Sequence, residues 1–193
     1  DPSMDAHAAE QLKENLGLND PLPVQYGKWL GVIPPFRGVL EGDFGVSFSR
    51  QRPVFDVITE AVGNTLILTI TALALDLMVG VSVGIFSALR RGKKVDQAVT
   101  LASLFVYSMP HFWLALMLIL IFSLGLGWLP ASQMHSVNAD QFSSLEYFFD
   151  LLKHLAMPVF VLGIASAAST ARYMRSSMLE VIGQDYIRTA RAK

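Results

Sequence analysis

The stretch Asn64–Leu89, NTLILTITALALDLMVGVSVGIFSAL, decides the class of fold because it holds a single charged side chain, Asp76. A helix rises 1.5 Å per residue, so a helix of this length covers roughly 39 Å, more than the ~30 Å hydrocarbon core of a bilayer. The stretch is therefore long enough to span a membrane with some tilt.

Two more apolar runs follow, at 98–126 and 155–174. The first is interrupted only by SMPHFW, and the second is rich in the Gly, Ala and Ser residues that let membrane helices approach closely. Charged residues make up 16% of the chain and mean hydropathy is +0.43, against roughly 25% charged residues in soluble domains. A helical hairpin buried in a large soluble protein is the alternative, and three long runs with consistent flanking charges disfavour it.

Composition also excludes several classes of function. The net charge of −1 argues against an electrostatic nucleic-acid binder. The absence of cysteine excludes disulfides, cysteine-based zinc sites and thiol catalysis. The sequence has no phosphate-binding G-x-x-x-x-G-K-[ST] loop and no G-x-S-x-G nucleophile motif. We therefore expect no catalytic residue, no bound metal and no cofactor in this chain.

Flanking charges give one orientation for all three runs. The segment RRGKK at 90–94 is expected in the cytoplasm by the positive-inside rule, which places 127–153 outside and the basic tail after 174 inside. Residues 1–63, with nine acids against five bases, then lie outside, and an earlier span is expected to have carried them there. Within them the pattern predicts short helices over Ala8–Leu16 and Val24–Leu30.

Two features inside the apolar runs are candidates for a translocation path. Asp76 is costly in a bilayer and should face protein or water, either as a proton-relay group or as a carboxylic acid hydrogen-bonded to a neighbouring helix. Pro110 predicts a kink or break that would expose Ser108, Met109 and His111 at a widened backbone. That kink either lines a path or serves packing alone. An intramembrane hydrolase using Ser108, His111 and Asp76 is disfavoured because no nucleophile motif accompanies them.

The terminal segment RSSMLEVIGQDYIRTARAK, at 175–193, is amphipathic. Its apolar stripe has helical spacing, and Gly183 predicts a bend before a second short helix near Asp185. Asp185 and Arg188 are spaced to pair across i, i+3. Such a helix either lies on the lipid surface or docks into a groove of a partner. Glu180 and Asp185 dilute the basic face and favour a protein partner.

This terminal segment resembles the cytoplasmic loop of permease subunits of bacterial binding-protein-dependent ABC importers, in the dipeptide, oligopeptide and nickel class. Arg188, Thr189 and Ala190 occupy the positions of that family's EAA motif. Other stretches resemble the family in the same order: the opening Asp1-Pro2, LGLNDPLPVQYGKWL, GDFGVSF, NTLILTI, YSMPHFW and LGWLP. The resemblance covers essentially the whole chain, which would hold the second, third and fourth of about six spans.

The resemblance implies an all-α membrane protein with the type I importer fold, here partial, in the bacterial inner membrane. Residues 1–63 would be an extracytoplasmic segment, 64–175 the transmembrane region and 176–193 a truncated coupling segment. The family's coupling helix corresponds to Asp185, Tyr186, Ile187, Arg188, Thr189, Ala190, Arg191, Ala192 and Lys193.

The resemblance also implies the partners. They are a second permease subunit, two ATPase subunits carrying ATP and Mg²⁺, an extracytoplasmic solute-binding protein and the lipid bilayer. Peptide, nickel and glutathione importers share these motifs, and the terminal segment favours peptides as substrate. Two other functions stay open from the residues themselves: an ion-coupled secondary transporter using Asp76 and His111, and a membrane scaffold whose tail recruits a cytoplasmic protein.

Overall fold

The structure is a computed structural model that describes residues 10–11, 13–14, 17–34 and 37–187. Its internal contacts divide the chain into two units, 1–63 and 64–193. Helices dominate both units, and the only strands in the described ranges form one short hairpin in the first unit. The fold is therefore the mainly helical one that the sequence predicts.

The first unit combines a short helix and a hairpin. Residues 10–11 and 13–14 are helical, inside the helix predicted over 8–16, and α1 spans Leu22–Leu30, two residues longer than predicted. α1 ends at Gly31, whose φ of 85° is the left-handed conformation that glycine adopts without strain. After a 3-10 turn at Val39–Glu41, β1 (Val46–Ser47) pairs antiparallel with β2 (Arg52–Pro53).

α2 spans Val54–Leu89 and begins ten residues before the apolar run that starts at Asn64. Residues 54–63 are rich in β-branched residues of low helix propensity, so the earlier start reflects propagation of the hydrogen-bonded helix beyond the apolar run. A turn at 90–93 leads to α3, Lys94–Ser108. α4 then spans His111–Leu118 and continues as a π-helical turn, Ile119–Gly125.

α5 is the longest element, Ser144–Ile182, and follows a 3-10 turn at Ala139–Gln141. It begins with a capping box: the Glu146 backbone N–H donates to Ser143 Oγ at 3.4 Å, and the Ser143 N–H donates to Glu146 Oε2 at 2.9 Å. Among the described residues, α2 and α5 are each long and apolar enough to cross a membrane. α3 and α4 together make a third, bent candidate.

α2 and α5 pack through small residues. A methyl group added at Gly80 would lie 2.7 Å from Thr170 Cβ, and one added at Gly84 would lie 2.7 Å from the Ala171 carbonyl oxygen. In the other direction, a methyl on Gly163 would lie 3.0 Å from the Ala72 carbonyl oxygen. The backbones therefore approach too closely for larger side chains, which is the way membrane helices gain dispersion contact without a hydrophobic driving force.

The predicted break before Pro110 is confirmed. α3 ends at Ser108, the backbone is extended at Met109 and Pro110, and α4 begins at His111 at an angle of 93° to α3. The proline lacks an N–H and disfavours helical conformation in the residue before it, so the helix ends there. The run at 98–126 is thus continuously apolar in sequence but forms two helices.

Candidate functional site

The C-terminal end of α5 leads into the predicted coupling segment. α5 ends at Ile182, where the Gly183 N–H donates to the carbonyl oxygens of Leu179 and Glu180, each at 3.2 Å. Residues 185–187 then form a new helical turn. The predicted bend at Gly183 and the helical start near Asp185 are therefore both confirmed.

Three of the nine predicted coupling residues lie in that turn, namely Asp185, Tyr186 and Ile187. Tyr186 is 61% exposed, so its ring is available for contact with another molecule. The other six lie outside the described residues: Arg188, Thr189, Ala190, Arg191, Ala192 and Lys193. Their coupling role, and the pairing of Asp185 with Arg188, stay predictions.

A buried carboxylate stands beside this end of α5, and the sequence analysis did not single it out. Asp96, in the first turn of α3, is 3% exposed. Its Oδ1 accepts hydrogen bonds from Ser87 Oγ and from Arg175 Nε, both at 2.6 Å. Its Oδ2 accepts from the Gly92 N–H at 3.0 Å and from Arg175 Nη2 at 2.8 Å. One side chain thus joins the end of α2, the 90–93 turn, α3 and α5.

Asp96 precedes the apolar run that begins at Ala98, so it lies outside the apolar span. The guanidinium of Arg175 holds the pKa of Asp96 well below its usual range, and the Ser87 hydroxyl and the Gly92 N–H lower it further. The carboxylate is therefore ionised at neutral pH. The sequence contains one local signal for Asp96: it is an acid two residues after RRGKK, at a helix start where negative charge is favoured.

The predicted path residues Ser108, Met109, Pro110 and His111 all lie at the break between α3 and α4. Ser108 Oγ donates to the Leu104 carbonyl oxygen at 2.8 Å, which satisfies the hydroxyl within its own helix. His111 lines a cavity of about 580 Å³ together with His154, Met157 and Pro158 of α5. The break therefore opens beside a largely apolar space between α4, α5 and the 130–134 segment.

The wall of this cavity is anchored by Asp150 of α5. Asp150 Oδ1 accepts from Ser136 Oγ at 2.5 Å, and Oδ2 accepts from the Ser136 N–H at 2.9 Å. His135 Nδ1 lies 3.3 Å from Oδ2, and its ring stacks on Tyr147 with centroids 4.0 Å apart. These contacts hold the segment that precedes α5 against the helix, beside the cavity that His154 lines.

Asp76 is placed elsewhere. It is absent from the lining of the cavity that holds His111, and it lies one turn from both Ala72 and Gly80 on the side of α2 that packs on α5. Its Oδ1 is buried and has no hydrogen-bond partner among the described residues. The structure therefore separates Asp76 from the break at Pro110, and an acid–base pair of Asp76 with His111 gains no support from the geometry.

The helices and their packing define a multi-span membrane protein in which the helix of the last span is interrupted at its C-terminal end. Comparison with known proteins gives the family. The chain belongs to the family described as binding-protein-dependent transport system inner membrane component, whose model matches residues 80–193. It is therefore an integral component of a cell's inner membrane.

Curated relatives match the chain along almost all of its length. The oligopeptide transport system permease protein AppB of Bacillus subtilis (strain 168) is 42% identical over all of the chain and 58% of AppB. The dipeptide transport system permease protein DppB of Alkalihalophilus pseudofirmus is 38% identical over 96% of the chain and 58% of DppB. The glutathione transport system permease protein GsiC of Escherichia coli (strain K12) is 35% identical over all of the chain and 56% of GsiC. The chain thus spans somewhat more than half the length of these relatives.

Proposed function

We propose that this chain is part of the transmembrane permease subunit of an ATP-driven importer of peptides. The observation that carries the proposal is the similarity of the whole chain to permease proteins named for oligopeptide, dipeptide and glutathione transport. All three substrate names denote short peptides or peptide-like molecules. A peptide is therefore the substrate class that the relatives have in common.

The proposed mechanism uses the broken helix at the end of α5. Closure of two ATPase subunits on ATP and Mg²⁺ displaces the coupling segment, Asp185–Lys193, and the membrane helices rock between inward- and outward-facing states. The interruption at Gly183 supports this role because it separates the 185–187 turn from the long helix above it. ATP hydrolysis takes place on the ATPase subunits, so this chain binds no cofactor of its own.

The remaining partners act on the membrane and extracytoplasmic sides. A second, similar permease subunit completes the path, and a solute-binding protein delivers the peptide from outside. In this arrangement the break at Pro110 and the adjoining cavity face the path, with Ser108, Met109 and His111 near the peptide. Asp76 takes part in helix packing rather than in contact with substrate, since it lies on the side of α2 that packs on α5.

The test is co-purification of the tagged full-length protein from gently solubilised membranes. Wild type is compared with the double variant Arg188→Glu and Ala190→Asp, and with Arg91→Glu, which reverses an exposed charge in the 90–93 turn. We expect a nucleotide-binding subunit to co-purify with wild type and Arg91→Glu, and to fall about tenfold or more in the double variant. Absence of any such subunit from wild-type preparations contradicts the proposal.

Uptake assays separate the proposal from an ion-coupled carrier. Collapse of the proton gradient with ATP held constant should leave peptide uptake unchanged, because ATP closure supplies the driving force. Loss of uptake under that treatment would favour proton coupling instead.

A further inference from the structure

The Asp96–Arg175 pair is more than a local helix cap. A carboxylate has about four acceptor positions, and all four of those on Asp96 are used, two on each oxygen. Ser87, at the end of α2, and Gly92, in the 90–93 turn, bind Asp96 from nine and four residues away in sequence. Arg175 binds from another element, 79 residues along the chain.

The geometry of the pair makes it stiff. Arg175 Nε and Nη2 bind different oxygens of Asp96, at 2.6 and 2.8 Å, which is the side-on fork that fixes orientation as well as distance. Ser87, fully buried, and the Gly92 N–H also hold the carboxylate in place. The turn between α2 and α3 is therefore tied to one point on α5.

That point is close to the proposed coupling segment. Arg175 lies seven residues before Ile182, the last residue of α5, and no break separates the two. At 1.5 Å per residue this is a rigid distance of roughly 10 Å. A displacement applied beyond Gly183 must first cross the short interruption at 183–184. From Ile182 it reaches Arg175 through continuous helix, and from Arg175 it reaches Asp96 and the α2–α3 turn through hydrogen bonds.

We propose that the Asp96–Arg175 pair carries the displacement of the coupling segment to the turn between α2 and α3. Both are positioning residues: they move α2 and α3 together with α5 and touch neither substrate nor nucleotide. This inference rests on the proposed importer function. A purely local role, in which Asp96 only caps α3, predicts a stability effect with no effect on coupling.

The test uses distance measurements in the complete transporter. Residues 1–193 contain no cysteine, so in a transporter whose other cysteines are replaced, Lys93→Cys and Gln184→Cys place two spin labels selectively. One label is in the turn and the other directly before the coupling segment. With the pair intact we expect the same distance between the labels with and without ATP. With Arg175→Gln added, we expect a second distance population in the ATP state. If the distance distributions in the ATP state are the same with and without Arg175→Gln, the inference is overturned.

A second readout is the number of labelled tri-alanine molecules imported per ATP hydrolysed, in proteoliposomes with all subunits. Asp96→Asn, Arg175→Gln and the two together should each lower this ratio by about fivefold or more, with the double variant no worse than either single variant. If the effects of the two single variants multiply in the double variant, or if the ratio does not change, Asp96 and Arg175 do not act as one link. Arg175→Lys keeps the charge but loses the fork, so an intermediate ratio is expected even where the other variants assemble poorly.

The control is Arg91→Gln, which removes an exposed positive charge from the same turn and should leave ratio and distances at wild-type values. The experiments distinguish failure of the importer function from failure of the Asp96–Arg175 inference. If no ATPase subunit co-purifies with wild type, the importer function fails, and the inference fails with it. If the subunits assemble and import tri-alanine while the Asp96 and Arg175 variants behave as wild type, only the inference fails.

Discussion

α5 makes two contacts of opposite character, one along its apolar run at 155–174 and one directly after that run, at Arg175. Against α2 it packs by close backbone approach at Gly80, Gly84 and Gly163, with no described hydrogen bond between side chains. Against Asp96 it uses a bidentate arginine and a fully hydrogen-bonded carboxylate. The first contact depends on the shape of the two helices, whereas the second is directional and fixes register.

The largest expected effect comes from filling the close approach. Gly84→Ala places a methyl 2.7 Å from the Ala171 carbonyl oxygen, so the helices must separate. We expect a loss of stability of about 1–3 kcal/mol, measured as thermal unfolding of the full-length protein in detergent. Gly63→Ala is the matched control, because it lies in the same helix with open space around it. There the gain in helix propensity should stabilise the protein, and equal effects at the two positions would refute the packing argument.

Breaking the directional contact should have the next largest effect, and it should depend on pH. The pKa of Asp96 is lower in the folded than in the unfolded state, so the ionised carboxylate stabilises the folded protein above the unfolded-state pKa of about 3.9. This contribution to the free energy of unfolding is lost as the pH falls below that pKa. We expect Asp96→Asn to unfold several degrees below wild type at pH 7, and this difference to shrink below about pH 4. A difference that stays constant over the acid range would rule out the carboxylate as its source.

Substitutions of Asp76 test whether a buried polar group destabilises the contact between α2 and α5. Because Asp76 Oδ1 is buried without a partner among the described residues, Asp76→Ala should stabilise the full-length protein by about 1 kcal/mol. Asp76→Asn, which keeps the shape and a polar group, serves as the comparison and should change little. If Asp76→Ala instead destabilises the protein or abolishes peptide uptake, the carboxylate has a role in transport.

The smallest expected effect lies at the other end of α5. Ser143→Ala removes the side-chain acceptor of the capping box and should cost about 0.5–1 kcal/mol in thermal unfolding. Ser144→Ala, one residue on, removes a hydroxyl outside the box and is the control. Because this end is far along α5 from Arg175, ATP coupling should be unchanged, and a coupling defect in Ser143→Ala would show that stability loss alone perturbs coupling.

Much of the fold follows from local patterns. The break at Pro110 and the interruption at Gly183 are both correctly predicted, because proline and glycine act on the backbone where they stand. Helix bounds are less accurate: α2 starts at Val54 and α5 at Ser144, each about ten residues before its apolar run. Helices continue past the membrane wherever propensity and capping allow, and hydropathy does not record that.

The candidate sites, like the helices, are predicted well where they depend on consecutive residues and poorly where they depend on distant ones. The segment at 185–193 is recognisable because its residues are consecutive. The sequence alone treats Asp76 and His111 as possible partners, yet the structure puts Asp76 on the α2–α5 packing face and His111 on a cavity with His154. Asp96 was missed altogether. Its main partner, Arg175, is 79 residues away, and no local pattern reports that two such residues meet.

The sequence by itself determined that the chain enters a membrane and where its helices break, and it predicts which side of the membrane each loop faces. Those properties depend on hydrophobic length, the sign of flanking charges and the backbone limits of proline and glycine, all of which act over short stretches. Only the tertiary structure decided which small residues meet, that Asp76 has no partner within the described chain, and that Asp96 binds Arg175. Such contacts depend on how whole helices pack, and that is settled by shape and hydrogen-bond geometry across the fold.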